Sequence, residues 1–223
     1  MVNGMRVAGG IAKGRRLKGA VSPGTRATTE RVRAAIFNIL DPVRYQEGRV
    51  LDLFAGSGSL GIEALSHGAG WADLVEWDRR QSAVITSNLE TTGFAKQGQV
   101  HRVDAVQALR TLPGRYALVL LDPPYKMGGL DDLMEKIASQ SGLIVDGGVV
   151  IAGHSKREDL KERYGPLRLT SHRRYGDNVV DFFVYEQVQD TDNPKQDGPE
   201  VIENQKTETQ TRSSGDLAGD PSW

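Results

Sequence analysis

The sequence predicts an α/β domain: a mostly parallel sheet covered by helices on both faces. Three observations lead there. Apolar runs of strand length alternate with segments of helix length from residue 49 to residue 163, the pattern of successive crossover units. A glycine-rich turn, Gly56-Ser57-Gly58-Ser59-Leu60-Gly61, follows the first of those runs. Tyr116-Ala117-Leu118-Val119-Leu120-Leu121 is apolar without alternation, as a strand buried on both faces requires.

Residues 1–24 are rich in glycine and basic side chains, with Val7, Ile11 and Leu17 as sparse apolar anchors, and predict a short hairpin or extended arm. Thr28 or Thr29 is placed to cap a helix through Ile36, Phe37 and Leu40 that stops before Pro42. Strand Arg49 to Phe54 leads to helix Leu60 to His67, strand Ala72 to Trp77 to helix Arg79 to Thr91, and strand Gln99 to Val103 to helix Ala105 to Leu112. Strand Ala117 to Leu121, helix Leu130 to Ser139, strand Val149 to Ala152 and a short helix Lys156 to Arg163 complete the alternation. Two β-rich runs, Leu167 to Arg173 and Val179 to Glu186, are expected to pair antiparallel. The chain thus divides into a basic arm with its helix (1–40), the α/β domain (41–186) and a tail (187–223).

Charge separates the two ends. Residues 1–33 carry eight basic side chains against Glu30 alone, whereas the tail carries eight acids against three bases. The arm is suited to a polyanion. The tail lacks aromatic residues until Trp223 and is expected to be disordered. Cysteine is absent, which excludes disulfides, thiolate metal sites and cysteine nucleophiles, and with the last of these argues against methylation at carbon 5 of a pyrimidine. No apolar stretch approaches the roughly 20 residues that span a bilayer, and Arg6, Lys13, Arg15 and Arg16 interrupt any signal-peptide core. A cytoplasmic location, no metal and a monomer are the simplest expectations.

Two motifs carry the chemistry. Gly56, Gly58 and Gly61 satisfy G-x-G-x-x-G, a turn that lets a ligand approach backbone and that dinucleotide enzymes also use. Asp52, just before it, would repel a pyrophosphate but can accept hydrogen bonds from an ammonium, so a cationic sulfonium cofactor suits the loop better. Glu76, twenty residues after Gly56, is placed to accept from ribose hydroxyls; Trp77 offers a wall for adenine or a packing surface. Asp104, followed by Ala105, either accepts from the adenine amine or caps the next helix. Asp122-Pro123-Pro124-Tyr125 ends the buried strand with a carboxylate, two prolines lacking backbone donors, and a ring to stack on a base. Their carbonyls are expected to face a ligand. Asp122 and the Pro123 carbonyl would accept the two hydrogens of an exocyclic amine.

The Phe-Ala-Gly-Ser-Gly loop, the acid after the second strand and the Asp-Pro-Pro-Tyr segment resemble class I S-adenosylmethionine-dependent methyltransferases acting on exocyclic amines of bases. Met5-Arg6-Val7 with Gly9-Gly10, Gly14-Arg15-Arg16-Leu17, and Thr25-Arg26-Ala27-Thr28-Thr29-Glu30-Arg31-Val32-Arg33 with Phe37-Asn38 look like the opening of the RsmD family of bacterial 16S ribosomal RNA guanine-N2 methyltransferases. Residues 5–186 fit that family; the tail does not. The resemblance implies a Rossmann-like seven-stranded sheet, S-adenosylmethionine as cofactor, and 16S rRNA within the small ribosomal subunit as partner. It implies cofactor contacts at Asp52, Phe54, Ala55, Gly56, Gly58, Glu76 and Asp104, and base contacts from Asp122 through Tyr125. Arg6, Lys13, Arg15, Arg16, Arg26, Arg31 and Arg33 are the candidate grips on RNA. Tyr175 is either a substrate-side aromatic or the packing of a hairpin corner. Ala27 stands where the family has proline, and His154-Ser155 replaces an acidic stretch. A DNA adenine-N6 methyltransferase, an NAD-dependent oxidoreductase and a non-catalytic RNA-binding assembly factor are the rival readings.

Overall fold

A computed structural model describes residues 4–19, 29–124 and 127–187. Arg26, Thr28, Tyr125 and the tail from residue 188 lie outside the described residues. Thr29 fills the cap, its hydroxyl oxygen accepting from the Val32 N–H at 3.3 Å, and α1 runs Glu30–Ile39. Leu40 returns to extended backbone, and one 3-10 turn over Pro42–Arg44 follows.

From there the order is β1 (Arg49–Asp52), α2 (Ser59–Ser66), β2 (Trp71–Val75), α3 (Arg79–Thr92), β3 (Gly98–His101), α4 (Ala105–Thr111), β4 (Tyr116–Leu121), α5 (Leu130–Ser139), β5 (Ile144–Ser155), β6 (Arg163–Tyr164), β7 (Leu167–Tyr175) and β8 (Asn178–Tyr185). The sheet runs β3-β2-β1-β4-β5-β8-β7-β6. Its first five strands are parallel, and β8, β7 and β6 each run antiparallel to the neighbour before them. All six residues of β4 are buried, because apolar layers cover both faces. One layer holds Val32, Ile36 and Phe37 with Ile62 and Ile85. The other holds Leu109 with Leu133, Met134 and Ile137. The strand order reverses between β1 and β4, so ligands are expected at the carboxyl ends of those strands.

Two expectations are corrected. The sheet has eight strands rather than seven, the extra one being the two-residue edge strand β6. Residues 156–163 do not form a helix. Their backbone is used elsewhere: Lys156 N–H donates to the Asp177 carbonyl at 3.0 Å and Lys161 N–H to the Tyr164 hydroxyl at 2.9 Å. Tyr164 in turn donates to Asp131 on α5 at 2.6 Å and is itself buried, a tertiary gain that overrides local helix propensity.

The arm folds back on itself, with Val7 N–H bonded to the Arg15 carbonyl at 3.0 Å and Leu17 N–H to the Met5 carbonyl at 2.8 Å. Val7, Ala12 and Leu17 join the first apolar layer. Buried polar groups on α2 hold it there. Glu63 accepts from the N–H groups of Gly9 at 2.6 Å and Ala8 at 3.0 Å. Ser66 accepts from Ala12 N–H at 2.9 Å and donates to the Gly9 carbonyl at 2.6 Å.

Candidate active site

Three strand ends build the site. After β1 the chain turns through Gly56 and Gly58, both left-handed with φ of 55° and 77°. A Cβ on Gly58 would also lie 2.9 Å from Ile85 Cγ2, and one on Gly61 2.9 Å from Leu74 Cδ2. Only glycine lets this loop seat against α3 and lets α2 seat against the sheet.

Glu76, just beyond β2, accepts from Gly56 N–H at 3.1 Å and Asp78 N–H at 2.9 Å. It therefore ties the first crossover loop to the second. Burial raises its pKa. Asp78 and Asp104 cap α3 and α4 by accepting from Gln81 and Gln107 N–H at 2.8 and 2.9 Å. Asp104 thus satisfies the helix-cap reading while still facing the cleft.

Asp122 follows β4, half-buried, beside β5. A Cβ at Gly153 would stand 2.9 Å from Asp122 Oδ1, so a side chain at 153 would displace the carboxylate. Pro123 is buried and Pro124 exposed. One expectation about the prolines fails here: the Pro124 carbonyl accepts from Met127 N–H at 2.8 Å, closing a turn instead of facing a ligand.

A cleft of about 800 Å³ runs along these strand ends and brings together Phe54, Gly56, Glu76, Trp77, Asp104, Ala105, Asp122, Pro123 and Pro124. Trp77 is 75 % exposed, a wall of the cleft and not a core side chain. Asp52, Ala55 and Gly58 are not among the residues that line the cleft. Asp52 is fully buried, with Oδ2 accepting from Gly61 N–H at 3.0 Å and Oδ1 without a hydrogen-bond partner among the described residues. Burial pushes its pKa up to about 7; the charges of Asp122 and Glu76 add to the rise, and the N–H groups of Gly61 and Phe54 oppose it. The cleft is an acid-rich place, and a cation bound there relieves it.

Sequence reasoning missed the far half of the cleft, where Val32 and Ile36 of α1 meet Ile151, His154, Asn178, Val179 and Val180. The apolar face of α1 was visible as a core pattern; nothing in it distinguished cleft from core. His154 is buried, with Nε2 3.0 Å from Asp181 Oδ2. Tyr175 packs against the first apolar layer.

The basic candidates split. Lys13, Arg15, Arg16 and Arg31 are exposed, and Arg6 is half-buried with Nη1 donating to the Gly14 carbonyl at 2.8 Å. Arg33 is corrected from a surface grip to a core residue: it is fully buried, its Nε 3.5 Å from Glu63 Oε2 and its Nη2 donating to the Arg6 carbonyl at 2.5 Å. Among the described residues no cluster of three or more metal-ligating side chains occurs, and no helix is long and apolar enough to cross a membrane.

The sequence profile of a family described as Conserved hypothetical protein 95 matches residues 5–184. A Bacillus subtilis protein named "Putative rRNA methyltransferase YlbH" is 40% identical over 175 residues, covering 77% of this chain and 94% of that one. Ribosomal RNA small subunit methyltransferase D of Escherichia coli is 39% identical over 142 residues, covering 64% of this chain and 70% of that one. A solved Escherichia coli structure, "Putative methyltransferase yhhF", superposes with a TM-score of 0.71 at 32% identity, covering 82% of this chain and 98% of that one.

Proposed function

We propose, from the premise that this chain belongs to the Conserved hypothetical protein 95 family, the RsmD type of methyltransferase, that it methylates the exocyclic N2 of a guanine in 16S rRNA of the small ribosomal subunit. The observation that carries the reading is Asp122: a half-buried carboxylate beside Pro123, at the end of β4, with room kept for it by Gly153.

S-adenosylmethionine is the cofactor, and it supplies an electrophilic methyl group on a cationic sulfur. The residues present fit it. Gly56 offers close backbone approach, Glu76 and Asp104 line the wall where ribose and adenine belong, and Trp77 offers a flat exposed face. The raised pKa of Asp52 and its unpartnered Oδ1 mark a region that gains from a nearby positive charge.

A guanine N2 is a poor nucleophile because its lone pair is delocalised into the ring. Hydrogen bonds from its two N–H groups to Asp122 and to the Pro123 carbonyl favour a pyramidal nitrogen. Val32, Ile36, Val179 and Val180 give the base an apolar slot. Asp122 accepts the proton, directly or through water, as positive charge develops on nitrogen. Most of the acceleration would come from Asp122 and the Pro123 carbonyl holding the nitrogen in a fixed orientation toward the methyl donor. The exposed Lys13, Arg15, Arg16 and Arg31 contact phosphates, and the target base must be unpaired or flipped out to reach Asp122.

The test offers small subunits, naked 16S rRNA and duplex DNA to the protein with labelled cofactor, followed by mass spectrometry of the nucleosides. N2-methylguanosine formed on small subunits is the expected result. Label appearing only on adenine in DNA would replace this reading.

A further inference from the structure

Asn88, on α3 and fully buried, connects two parts of the molecule that the reading above assigns to different ligands. Its Nδ2 donates to the Ser57 carbonyl at 2.8 Å and to the Lys18 carbonyl at 3.0 Å, while its Oδ1 accepts from Lys18 N–H at 2.8 Å. Both amide hydrogens are used, and the carboxamide stands in for a peptide group toward Lys18. Ser57 sits between the two left-handed glycines of the cofactor loop; Lys18 lies in the arm, 70 residues from Asn88. The same arm approaches that loop again at Met5, whose Sδ is 3.9 Å from Ser57 Oγ.

Each bond is needed in this geometry. The Ser57 carbonyl and the Lys18 N–H meet one rigid planar group, so a displacement of either is felt by the other. Alanine at 88 offers no donor, aspartate offers no donor and adds a buried charge, and glutamine is longer by a methylene.

We propose that Asn88 is a positioning residue that couples the basic arm to the cofactor loop, so that RNA on the arm and cofactor on the loop strengthen each other's binding. This rests on the methyltransferase reading above, and the experiment is chosen to separate the two.

Calorimetry on the full chain measures S-adenosylhomocysteine affinity alone and with saturating small subunits. Wild type is expected to bind roughly fivefold or more tighter in their presence, within the usual range of coupling. Asn88→Ala is expected to bring that ratio below about twofold. A residue with only a structural role would weaken both affinities and leave the ratio unchanged, and that result overturns the proposal. Should Asn88→Ala fail to fold, Asn88→Asp, nearly isosteric and lacking both donors, takes its place.

A second readout needs no RNA. S-adenosylhomocysteine is expected to slow hydrogen exchange of the Lys18 amide in wild type and not in the variant. Unchanged exchange in wild type overturns the coupling. Slowed exchange in a protein that ignores small subunits supports the link and removes the RNA reading instead.

Discussion

Glu63 and Asp52 are both fully buried acids, yet their surroundings differ in kind. Glu63 receives two arm N–H groups, and the Arg33 guanidinium lies 3.5 Å away. Burial pulls the pKa of Arg33 down, and Glu63 restores part of it. Asp52 has no such cation among the described residues: one oxygen is held by Gly61, the other has no hydrogen-bond partner there, and two further carboxylates raise its pKa. A satisfied buried acid anchors the fold, whereas Asp52, left short of partners, is where the proposed cationic cofactor would be felt.

The sharpest way to break this contrast is at the cleft. Asp122→Ala is expected to lower methyl transfer by roughly 10²–10⁴-fold, with S-adenosylhomocysteine affinity and thermal midpoint nearly unchanged. Gly153→Ala, which crowds the same oxygen without removing it, should cost less. Full transfer by Asp122→Ala in a single-turnover assay would move the chemistry elsewhere.

At the anchor the expected loss is stability. Glu63→Ala removes the carboxylate 3.5 Å from the buried Arg33 and leaves two arm N–H groups without their acceptor, a cost of about 3–5 kcal/mol. Urea unfolding followed by circular dichroism measures it. A midpoint within error of wild type would mean the arm is not held as the bonds indicate.

Asp52 sharpens the comparison through pH. Its folded pKa, about 7, lies above the ordinary carboxylate value of 3.8, so the folded chain binds its proton more tightly than the unfolded chain does. The stabilisation from that proton is fully present below about pH 4 and is lost as pH rises through 7, on the order of 4 kcal/mol. Asp52→Asn should remove that part of the slope. The difference between the two urea curves from pH 4 to 8 reads it directly, and parallel curves would refute it.

Much of this was legible in advance because it depends on local pattern. The uniform apolar run of β4 and the glycines before α2 are dictated within a few residues of chain, and the structure has them where the pattern puts them; of the open cap alternatives, Thr29 caps α1 and Asp104 caps α4. The segment 156–163 reads locally as helix, but its backbone partners, Asp177 and the Tyr164 that Asp131 holds, depend on contacts remote in sequence. Strand β5 starts at Ile144 rather than Val149 because a left-handed Gly147 and a register shift against β4 let it pass through what reads as a turn. Arg33 looked like its basic neighbours, and only the fold pairs it with Glu63.

Arg33 also frames the smallest expected effect. Within one basic stretch, Arg16 is exposed and Arg33 is sealed under the arm, so the same change should act on different observables. On the proposed function Arg16→Ala would remove one phosphate contact: affinity for small subunits should fall a few-fold, and the slope of log affinity against log salt should shrink by about 0.7–0.9. Its stability should stay within about 0.5 kcal/mol of wild type, as for other surface changes. Arg33→Ala should instead lower the urea midpoint and leave the salt slope alone, because a side chain that never meets water releases no counterions on binding RNA. Filter binding at several salt concentrations, paired with unfolding curves for both variants, separates the two, and a reduced salt slope for Arg33→Ala would contradict its burial.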